Sequence, residues 1–202
     1  MTQTTENDTA IALGSAQRQG VGAALRSWRT ARRMKQSHVA DLLQCSQSTV
    51  SRWESGQQLP SRSEAAAIAR LLAARLSSAG DRALGRLIRG SGAELHLVCD
   101  VSHRLLAASP ARERRWRVSV SELTGVPMWR FASTEIKEAE ERLGRSGWFA
   151  DPYASVEIET GPNGRRDVPI LAGRLRWTRI RLSDGSFARL VETLHSAATS
   201  VV

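Results

Sequence analysis

Four polar residues on one face of a predicted short helix carry the most specific chemistry in this sequence. Gln47, Ser48, Ser51 and Arg52 lie on that face, with neither a lysine nor an acid among them. A glutamine amide can pair with the edge of adenine through two hydrogen bonds, and an arginine guanidinium can pair with that of guanine. These residue types predict contacts with base edges; the rival interpretation is a solvated helix face.

Two short helices joined by a tight turn, predicted over residues 36–43 and 47–54, position that face. Ser46 can cap the second helix, because its hydroxyl can accept an orphan backbone N–H, and Gly56 can end it in a left-handed conformation. Pro60 closes the segment. Apolar residues at helical spacing turn inward from both helices: Val39, Ala40, Leu43, Val50 and Trp53.

This stretch resembles the helix-turn-helix of the Cro and phage-repressor family, also called the xenobiotic-response-element family, over about residues 20–77. The resemblance is carried by Gln36, Ala40, residues 46–51, Trp53, Glu54, Gly56 and Pro60, with Leu25 and Arg29 upstream. Two residues depart from the family pattern. Gln44 stands where the turn commonly has glycine, and Lys35 stands where a Ser or Thr cap is usual. Either departure can alter local geometry while the docking mode is kept.

The resemblance implies a role for each matching residue. Gln47, Ser48 and Arg52 occupy the base-contacting positions, and Ser51 is a neighbour with a shorter reach. Gln36, at a helix N-terminus, matches a residue that contacts a phosphate and braces the first base-reading glutamine. The predicted contacts with the DNA backbone are Gln36, Thr49, Gln57, Arg26 and Arg33.

An ion pair between Arg29 and Glu54 is also implied by the resemblance. Arg29 lies on a predicted first helix over residues 21–33, and the family pairs this arginine with the glutamate found here at Glu54. A partly buried bridge of this kind would lock the first helix onto the recognition helix. The rival interpretation of Glu54 is a functional acid.

The net charge of the 202-residue chain is +9, and it is unevenly placed. Residues 1–90 hold 13 Lys and Arg against 6 acidic residues, whereas residues 91–202 hold 16 against 14. The excess positive charge therefore lies in the half that contains Gln47, Ser48, Ser51 and Arg52, the predicted reading face, as a polyanion-binding module requires. A uniformly arginine-rich composition is the alternative, and the near balance of the second half argues against it.

The two cysteines, Cys45 and Cys99, form neither a CxxC pair nor a disulfide framework. No stretch is long and apolar enough to span a membrane, and the first residues lack an apolar signal-peptide core. We therefore expect a protein of the reducing cytoplasm that has no membrane partner.

Turn and cap residues divide the chain into five predicted segments. A capping box at Ser61 starts a helix that is predicted to end near Leu76, and Asp81 is predicted to cap a further short helix. The segments are a disordered arm at residues 1–19, a helix-turn-helix DNA-binding domain at 20–78, a helical connector at 79–92, a second domain at 93–195 and a tail at 196–202.

After Gly92 the helical periodicity gives way to alternation. Strands are predicted at residues 94–100, 105–108, 155–160, 174–182 and 187–194, and helical pieces at 110–116, 119–123 and 134–143. This β-β-α-α-α-β-β-β order resembles a PAS domain. The strings that share the resemblance are Val98-Cys99-Asp100, Arg104-Leu105-Leu106, Ser121-Glu122-Leu123-Thr124-Gly125 and Leu182-Ser183-Asp184-Gly185. The predicted fold class is therefore α + α/β, with an all-α N-terminal domain of about five helices and a PAS-like α+β domain built on an antiparallel sheet.

PAS domains act as sensor pockets, dimerisation modules or both. The resemblance therefore implies a homodimer through the C-terminal domain and leaves a small-molecule or protein ligand open. Haem-binding members ligate iron from a histidine on the long helix, but residues 134–143 contain none, and Cys99 lies outside the Asn-Cys-Arg string of photosensory members. The histidines of this half lack metal-ligand spacing: His96, His103 and His195. We predict no cofactor and no metal.

A self-cleaving repressor is the enzyme alternative, because Ala79-Gly80 lies in the linker and Ser102 precedes Lys137. The sequence around Ser102 lacks the Gly-Asp-Ser-Met-like string that such repressors have around their serine. Lys137 falls in a charge run, residues 135–141, that is predicted to be a solvated helix face, where a lysine stays protonated. An interaction adaptor with a vestigial DNA-binding domain is a third possibility. The pattern favours a non-enzymatic, sequence-specific transcription regulator that binds a palindromic DNA operator as a dimer.

Overall fold

Five helices form the N-terminal half of the computed structural model, which describes residues 15–143 and 146–194. They are α1 (Ser15–Ala31), α2 (Gln36–Leu43), α3 (Gln47–Glu54), α4 (Arg62–Leu71) and α5 (Ala79–Arg89). Residues 15–19 are helical, which corrects the prediction of a disordered arm as far as residue 19. The rest of that arm, residues 1–14, and the tail predicted at 196–202 lie outside the described residues.

Near its start, α1 packs against the C-terminal half. Gly20 is buried, and a Cβ at this position would come within 2.4 Å of the ring of Phe149. Glycine therefore permits the close approach of the helix to the C-terminal half. This contact supports helical turns that precede Val21, where the apolar stripe of the sequence begins.

An antiparallel five-stranded sheet with a helical layer forms the C-terminal half. Its strands are β1 (Leu95–Cys99), β2 (Leu105–Ala108), β3 (Ser155–Thr160), β4 (Gly173–Arg181) and β5 (Phe187–Leu194), in the spatial order β2-β1-β5-β4-β3. Between β2 and β3 lie α6 (Pro110–Arg115), α7 (Val120–Leu123), a 3-10 turn (Met128–Phe131) and α8 (Thr134–Leu143). The predicted fold class, a helical half followed by an antiparallel sheet, is confirmed.

The sheet separates two packing layers. Side chains alternate between the faces of a strand, so His96 and Val98 of β1 line a cavity between the sheet, α6 and α8, whereas Cys99 points the other way. The sulfur of Cys99 accepts the backbone N–H of Ala74 at 3.4 Å, and α4 ends at Leu71 rather than near residue 76 as predicted. The backbone N–H of Ala74 thus bonds to a side chain of the sheet instead of to a carbonyl of a helix.

The helix α5 does more than connect the two halves. It packs across β1 and β2, and its Ile88 is buried. Its cap is Ser78 rather than Asp81, since Ser78 Oγ accepts the backbone N–H of Asp81 at 3.0 Å. The carboxylate of Asp81 accepts the backbone N–H of Ser78 in return, which completes a capping box.

Four charged side chains form a buried network between the sheet and α8. Asp100 accepts hydrogen bonds from Arg179 Nε at 2.9 Å and Arg189 Nη2 at 2.8 Å, and Arg189 Nη1 donates to Glu140 Oε2 at 2.5 Å. Burial alone would raise the pKa of Glu140, but the Arg189 guanidinium lowers it to about 2. The prediction that residues 135–141 form a solvated charge run is therefore wrong for Glu140, which faces the core.

Candidate nucleic-acid interface

The turn between α2 and α3 combines one left-handed residue with one side-chain cap. Gln44 has φ 52° and ψ 45°, the conformation that glycine adopts most readily. Ser46 Oγ accepts the backbone N–H of Thr49 at 3.1 Å and thereby caps α3. Lys35 makes no side-chain cap at α2, and Gly56 follows α3 with φ 74°. The departures at Gln44 and Lys35 therefore leave the predicted bounds of both helices unchanged.

Arg29 of α1 and Glu54 at the end of α3 form a two-point ion pair. Arg29 Nε donates to Glu54 Oε1 at 2.7 Å, and Arg29 Nη2 donates to Glu54 Oε2 at 2.8 Å. Arg29 Nη1 also donates to the carbonyl of Met34 at 2.8 Å, just before α2. The hydrogen bond to Glu54 raises the pKa of Arg29 above its ordinary value. One guanidinium thus ties α1 to α3 and to the turn that leads into α2.

The carboxylate of Glu54 also begins a chain of side-chain hydrogen bonds, which ends at Gln47 on the predicted reading face. Gln36 Nε2, at the first turn of α2, donates to Glu54 Oε2 at 2.9 Å. Gln47 Nε2, at the first turn of α3, donates to Gln36 Oε1 at 2.7 Å. The side chain of Gln47 is exposed, and its hydrogen bond to Gln36 fixes its orientation. Its amide oxygen and second N–H remain available to a base edge.

The other predicted base-contacting residues lie along the same side of α3. Ser48 and Arg52 are exposed, and Ser51 is half-buried. Arg52 Nε donates to the carbonyl of Ser48 at 3.3 Å, which leaves the outer edge of the guanidinium facing solvent. Ser48 Oγ lies 2.8 Å from Ser46 Oγ, so its hydroxyl is shared with the helix cap. An amide and a guanidinium therefore dominate the exposed chemistry of this face.

The residues predicted to contact the DNA backbone are less uniform. Arg26, Arg33 and Gln57 are exposed, whereas Gln36 and Thr49 are half-buried. Arg33 follows α1 with φ 55°, in the turn that leads to α2. Gln36 and Thr49 both have partners within the domain, on the Glu54 chain and on the Ser46 cap.

The reading face remains accessible in the full chain. Hydrogen bonds from the C-terminal half reach α1, α5 and the segment between α4 and α5: Arg179 to Ser27, Arg181 to Ala31, Arg32 to Asp184, Ser183 to Asp81 and Ala74 to Cys99. Within the described residues, none of these bonds involves α3 or its flanking turns. These hydrogen bonds therefore fix α1 on the C-terminal half, and the exposed side of α3 remains open to solvent.

The serine and lysine of the self-cleaving alternative are not brought together. Ser102 is buried in the turn between β1 and β2, and its hydroxyl has no hydrogen-bond partner among the described residues. Lys137 is exposed on α8. Ala79 and Gly80 lie in the first turn of α5 rather than in an open linker.

A cavity of about 520 Å³ between the sheet, α6 and α8 is a second site. The resemblance to PAS domains leaves a ligand of this half open, but the sequence did not predict which residues line the cavity. Arg112 of α6 and His96 of β1 line it, and Arg112 Nε and His96 Nδ1 are buried without a hydrogen-bond partner among the described residues. Alternation along β1 puts His96 on the face of Val98. The placement of α6 over that face depends on contacts that are distant in sequence.

Comparison with known proteins bears on the N-terminal half. Residues 21–79 match a family model described as a helix-turn-helix domain, and this segment includes α2, α3 and the side-chain chain from Arg29 to Gln47. No curated protein shows significant similarity to the sequence. Across the residues that the structure describes, no helix is long and apolar enough to cross a membrane. The chain therefore carries a helix-turn-helix domain at residues 21–79, which supports a DNA-binding regulator.

Proposed function

We propose that this protein is a sequence-specific transcription regulator that binds a palindromic DNA operator as a homodimer. In this proposal the N-terminal domain is of the Cro and phage-repressor type, and the C-terminal domain is a PAS-like sensor and dimerisation module. The observation that carries the proposal is the exposed face of α3, on which hydrogen bonds hold Gln47 and Arg52 in place. The proposal assigns no catalytic activity to the chain.

Direct readout follows from the position of these side chains on α3. In helix-turn-helix proteins the N-terminal residues of the second helix contact base edges in the major groove. Gln47 is the first residue of α3, and Arg52 lies on the same side of the helix in its second turn. Because the Gln36 contact orients Gln47 before DNA arrives, less side-chain entropy is lost on binding.

Dimerisation is proposed because one helix-turn-helix reads only half of a palindromic site. The C-terminal half is the proposed source of the interface. Its tryptophans Trp116, Trp148 and Trp177 are buried in its own core, so the interface has to use other side chains. Tyr153 and Leu171 are the exposed large apolar residues of this half within the described range.

The proposal is tested first by selection of bound sequences from random DNA, followed by affinity measurements on the selected operator. A palindromic consensus is expected, with one base position per half-site that depends on Arg52. Weak retention of all sequences alike, without a consensus, would contradict the proposal and favour the adaptor interpretation.

Replacing Arg52→Ala should reduce discrimination at that base position by about 1–3 kcal/mol, because a bidentate contact with guanine is lost. Arg33→Ala should instead weaken selected and random DNA about equally and flatten the salt dependence. Arg70→Ala, at an exposed arginine of α4 that is not among the predicted DNA contacts, is the matched control. Equal losses on selected and random DNA for Arg52→Ala would show that Arg52 contacts only phosphate.

A further inference from the structure

The cavity of the C-terminal half has the size and walls of a small-molecule site. Its volume of about 520 Å³ lies within the range of ligand pockets in proteins, roughly 300–1,000 Å³. Four aromatic side chains contribute to its wall: Trp116, Trp129, Phe131 and Trp177. Such walls favour the flat face of an aromatic ring, because offset and edge-to-face ring contacts add to the burial of apolar area.

Arg112 places a positive charge in the wall of this largely aromatic cavity without a hydrogen bond to a carboxylate. Arg112 Nη2 donates to the carbonyl of Glu94 at 2.9 Å and to Thr193 Oγ1 at 2.7 Å, and both acceptors are neutral. The nearby carboxylate of Glu94 is engaged by Arg115 Nε at 2.7 Å. Among the described residues Arg112 Nε has no hydrogen-bond partner, and burial lowers the pKa of Arg112 to about 10, although the charge of Glu94 acts in the opposite direction. A cation held in this way is stabilised by an incoming anion.

The other arginines that line the cavity already have carboxylate partners. Arg115 pairs with Glu94, Arg174 pairs with Glu157, and Arg189 pairs with Asp100 and Glu140. Of the lining arginines that the structure describes, Arg112 is the one that forms no ion pair with a carboxylate. The site for an anion is therefore at the Arg112 end of the cavity.

His96 supplies a second polar group at the same end. Its ring meets that of Trp116 edge-to-face, with centroids 5.5 Å apart, and its Nδ1 is buried without a partner. Burial and the charge of Arg112 lower the pKa of His96 well below its ordinary value, so the imidazole is neutral near pH 7. A neutral imidazole with a hydrogen on Nδ1 can donate one hydrogen bond to an anion beside Arg112.

We propose that the cavity binds a planar aromatic carboxylic acid, with its carboxylate on Arg112 and His96 and its ring among the tryptophans. The inference rests on the proposed sensor role of the C-terminal domain and names the class of ligand that this domain takes. A carboxylate supplies the missing counter-charge and accepts the two unused donors together. An alkyl chain would fill the cavity without using the ring faces of its wall.

Calorimetric titration of the full chain near neutral pH tests the proposal with one aromatic acid that has a single ring, benzoate, and two that have fused rings, indole-3-acetate and 2-naphthoate. At least one should bind with a stoichiometry of one per chain. Its neutral amide should bind about tenfold or more weakly, because a charge-assisted contact is lost. Decanoate, an acid without a ring, should also bind more weakly. Failure of all three acids, equal affinity for the amide, or tighter binding of decanoate would overturn the proposal.

Variants of α6 locate the site. Arg112→Met should reduce affinity for the acid about tenfold or more and leave affinity for the amide nearly unchanged. Arg112→Lys should recover part of the loss, because it keeps the charge without the planar fork. Arg114→Met, an exposed arginine of the same helix, should bind the acid like the parent chain. Unchanged acid binding by a folded Arg112→Met chain would overturn the assignment.

Binding of the selected DNA operator, measured on the same preparations, separates this inference from the proposed function. If operator DNA binds and no aromatic acid does, the ligand inference fails and the regulator proposal stands. If the acid binds through Arg112 and no DNA sequence is preferred, the ligand inference stands and the regulator proposal fails.

Discussion

Glu54 is the residue on which the geometry of the helix-turn-helix converges. Its side chain is 3% exposed, and its two oxygens accept hydrogen bonds from Arg29 and from Gln36. Through Gln36 the carboxylate also fixes Gln47 on the exposed side of α3. A single buried acid therefore serves both the packing of three helices and the orientation of a predicted base-contacting amide. This arrangement supports a structural rather than a catalytic role for Glu54.

Replacing Glu54→Gln should destabilise the chain by about 3 kcal/mol, because Arg29 keeps its charge in a largely buried position and loses its counter-ion. Urea unfolding of the full chain, followed by circular dichroism, measures the loss. Glu138→Gln on the exposed side of α8 is the matched control and should change stability by less than about 0.5 kcal/mol.

The double variant Arg29→Met with Glu54→Gln should recover part of that loss, because neither partner is then left buried and charged. If Glu54→Gln unfolds at the same urea concentration as the parent chain, the pair contributes nothing to stability. The explanation that the Arg29–Glu54 ion pair holds α1 on α3 would then be wrong.

At the scale of elements, the turn between α2 and α3 carries conformational strain. Gln44 is one of three residues other than glycine with positive φ in the described chain, and the side chain of a residue in this region crowds its own backbone. The backbone N–H of Cys45 donates to the carbonyl of Ala40 at 3.0 Å, so the turn is closed by a hydrogen bond despite the unfavourable residue. The packing of α2 against α3 maintains this conformation.

Gln44→Gly should stabilise the chain by about 0.5–1 kcal/mol, because relief of the left-handed strain exceeds the added freedom of glycine in the unfolded chain. Thermal unfolding of the full chain should show a higher midpoint. Gln58→Gly, outside the left-handed region, is the control and should not raise stability. A lower midpoint for Gln44→Gly would indicate that the glutamine side chain makes a stabilising contact.

At the scale of the whole molecule, the two halves share one packed structure. The carboxylate of Asp81 on α5 accepts the backbone N–H of Ser183 at 3.1 Å and its hydroxyl at 2.6 Å, in the hairpin between β4 and β5. Arg179 of the buried network donates to Ser27 of α1 at 3.3 Å. Buried apolar residues of both halves belong to one continuous core.

We expect the full chain to unfold in one cooperative transition, because separation of the halves would expose this shared core. Helical circular dichroism and tryptophan fluorescence should therefore give coincident thermal curves. Two separate transitions in either signal would show that the halves unfold independently.

Asp81→Asn should reduce the free energy of unfolding by about 2 kcal/mol, because hydrogen bonds to a charged acceptor are lost. The midpoint shared by the two signals should fall accordingly. Burial alone would raise the pKa of Asp81, but the hydrogen bonds from Ser183 and Ser78 lower it below its ordinary value. The stability that Asp81 contributes is therefore present above the ordinary aspartate pKa and lost as the pH falls through the lowered one. Asp41→Asn, at an exposed position of α2, is the control.

Local patterns in the sequence determined most of the secondary structure. Apolar spacing and the Ser46 cap predict α2 and α3 with the bounds that they have, and alternation predicts β3 and β5 equally well. These signals are sufficient because the periods of helices and strands, and the hydrogen bonds of a cap, involve residues only a few positions apart. The residues of the predicted reading face follow from the same local pattern and the family resemblance.

Tertiary structure alone decided which charges are buried and where a cavity forms. Asp100 meets Arg179 and Arg189 across 79 and 89 residues, and Arg189 meets Glu140 across 49. Helical spacing puts Glu140 on the apolar face of α8 with Ile136 and Leu143, but it does not show which cation Glu140 meets there. The unpaired charge of Arg112 likewise depends on Glu94 being engaged by Arg115 and on α6 lying over β1. Whether a charged side chain is solvated or paired is set by neighbours that only the folded chain brings within a few ångströms, so no local pattern could predict it.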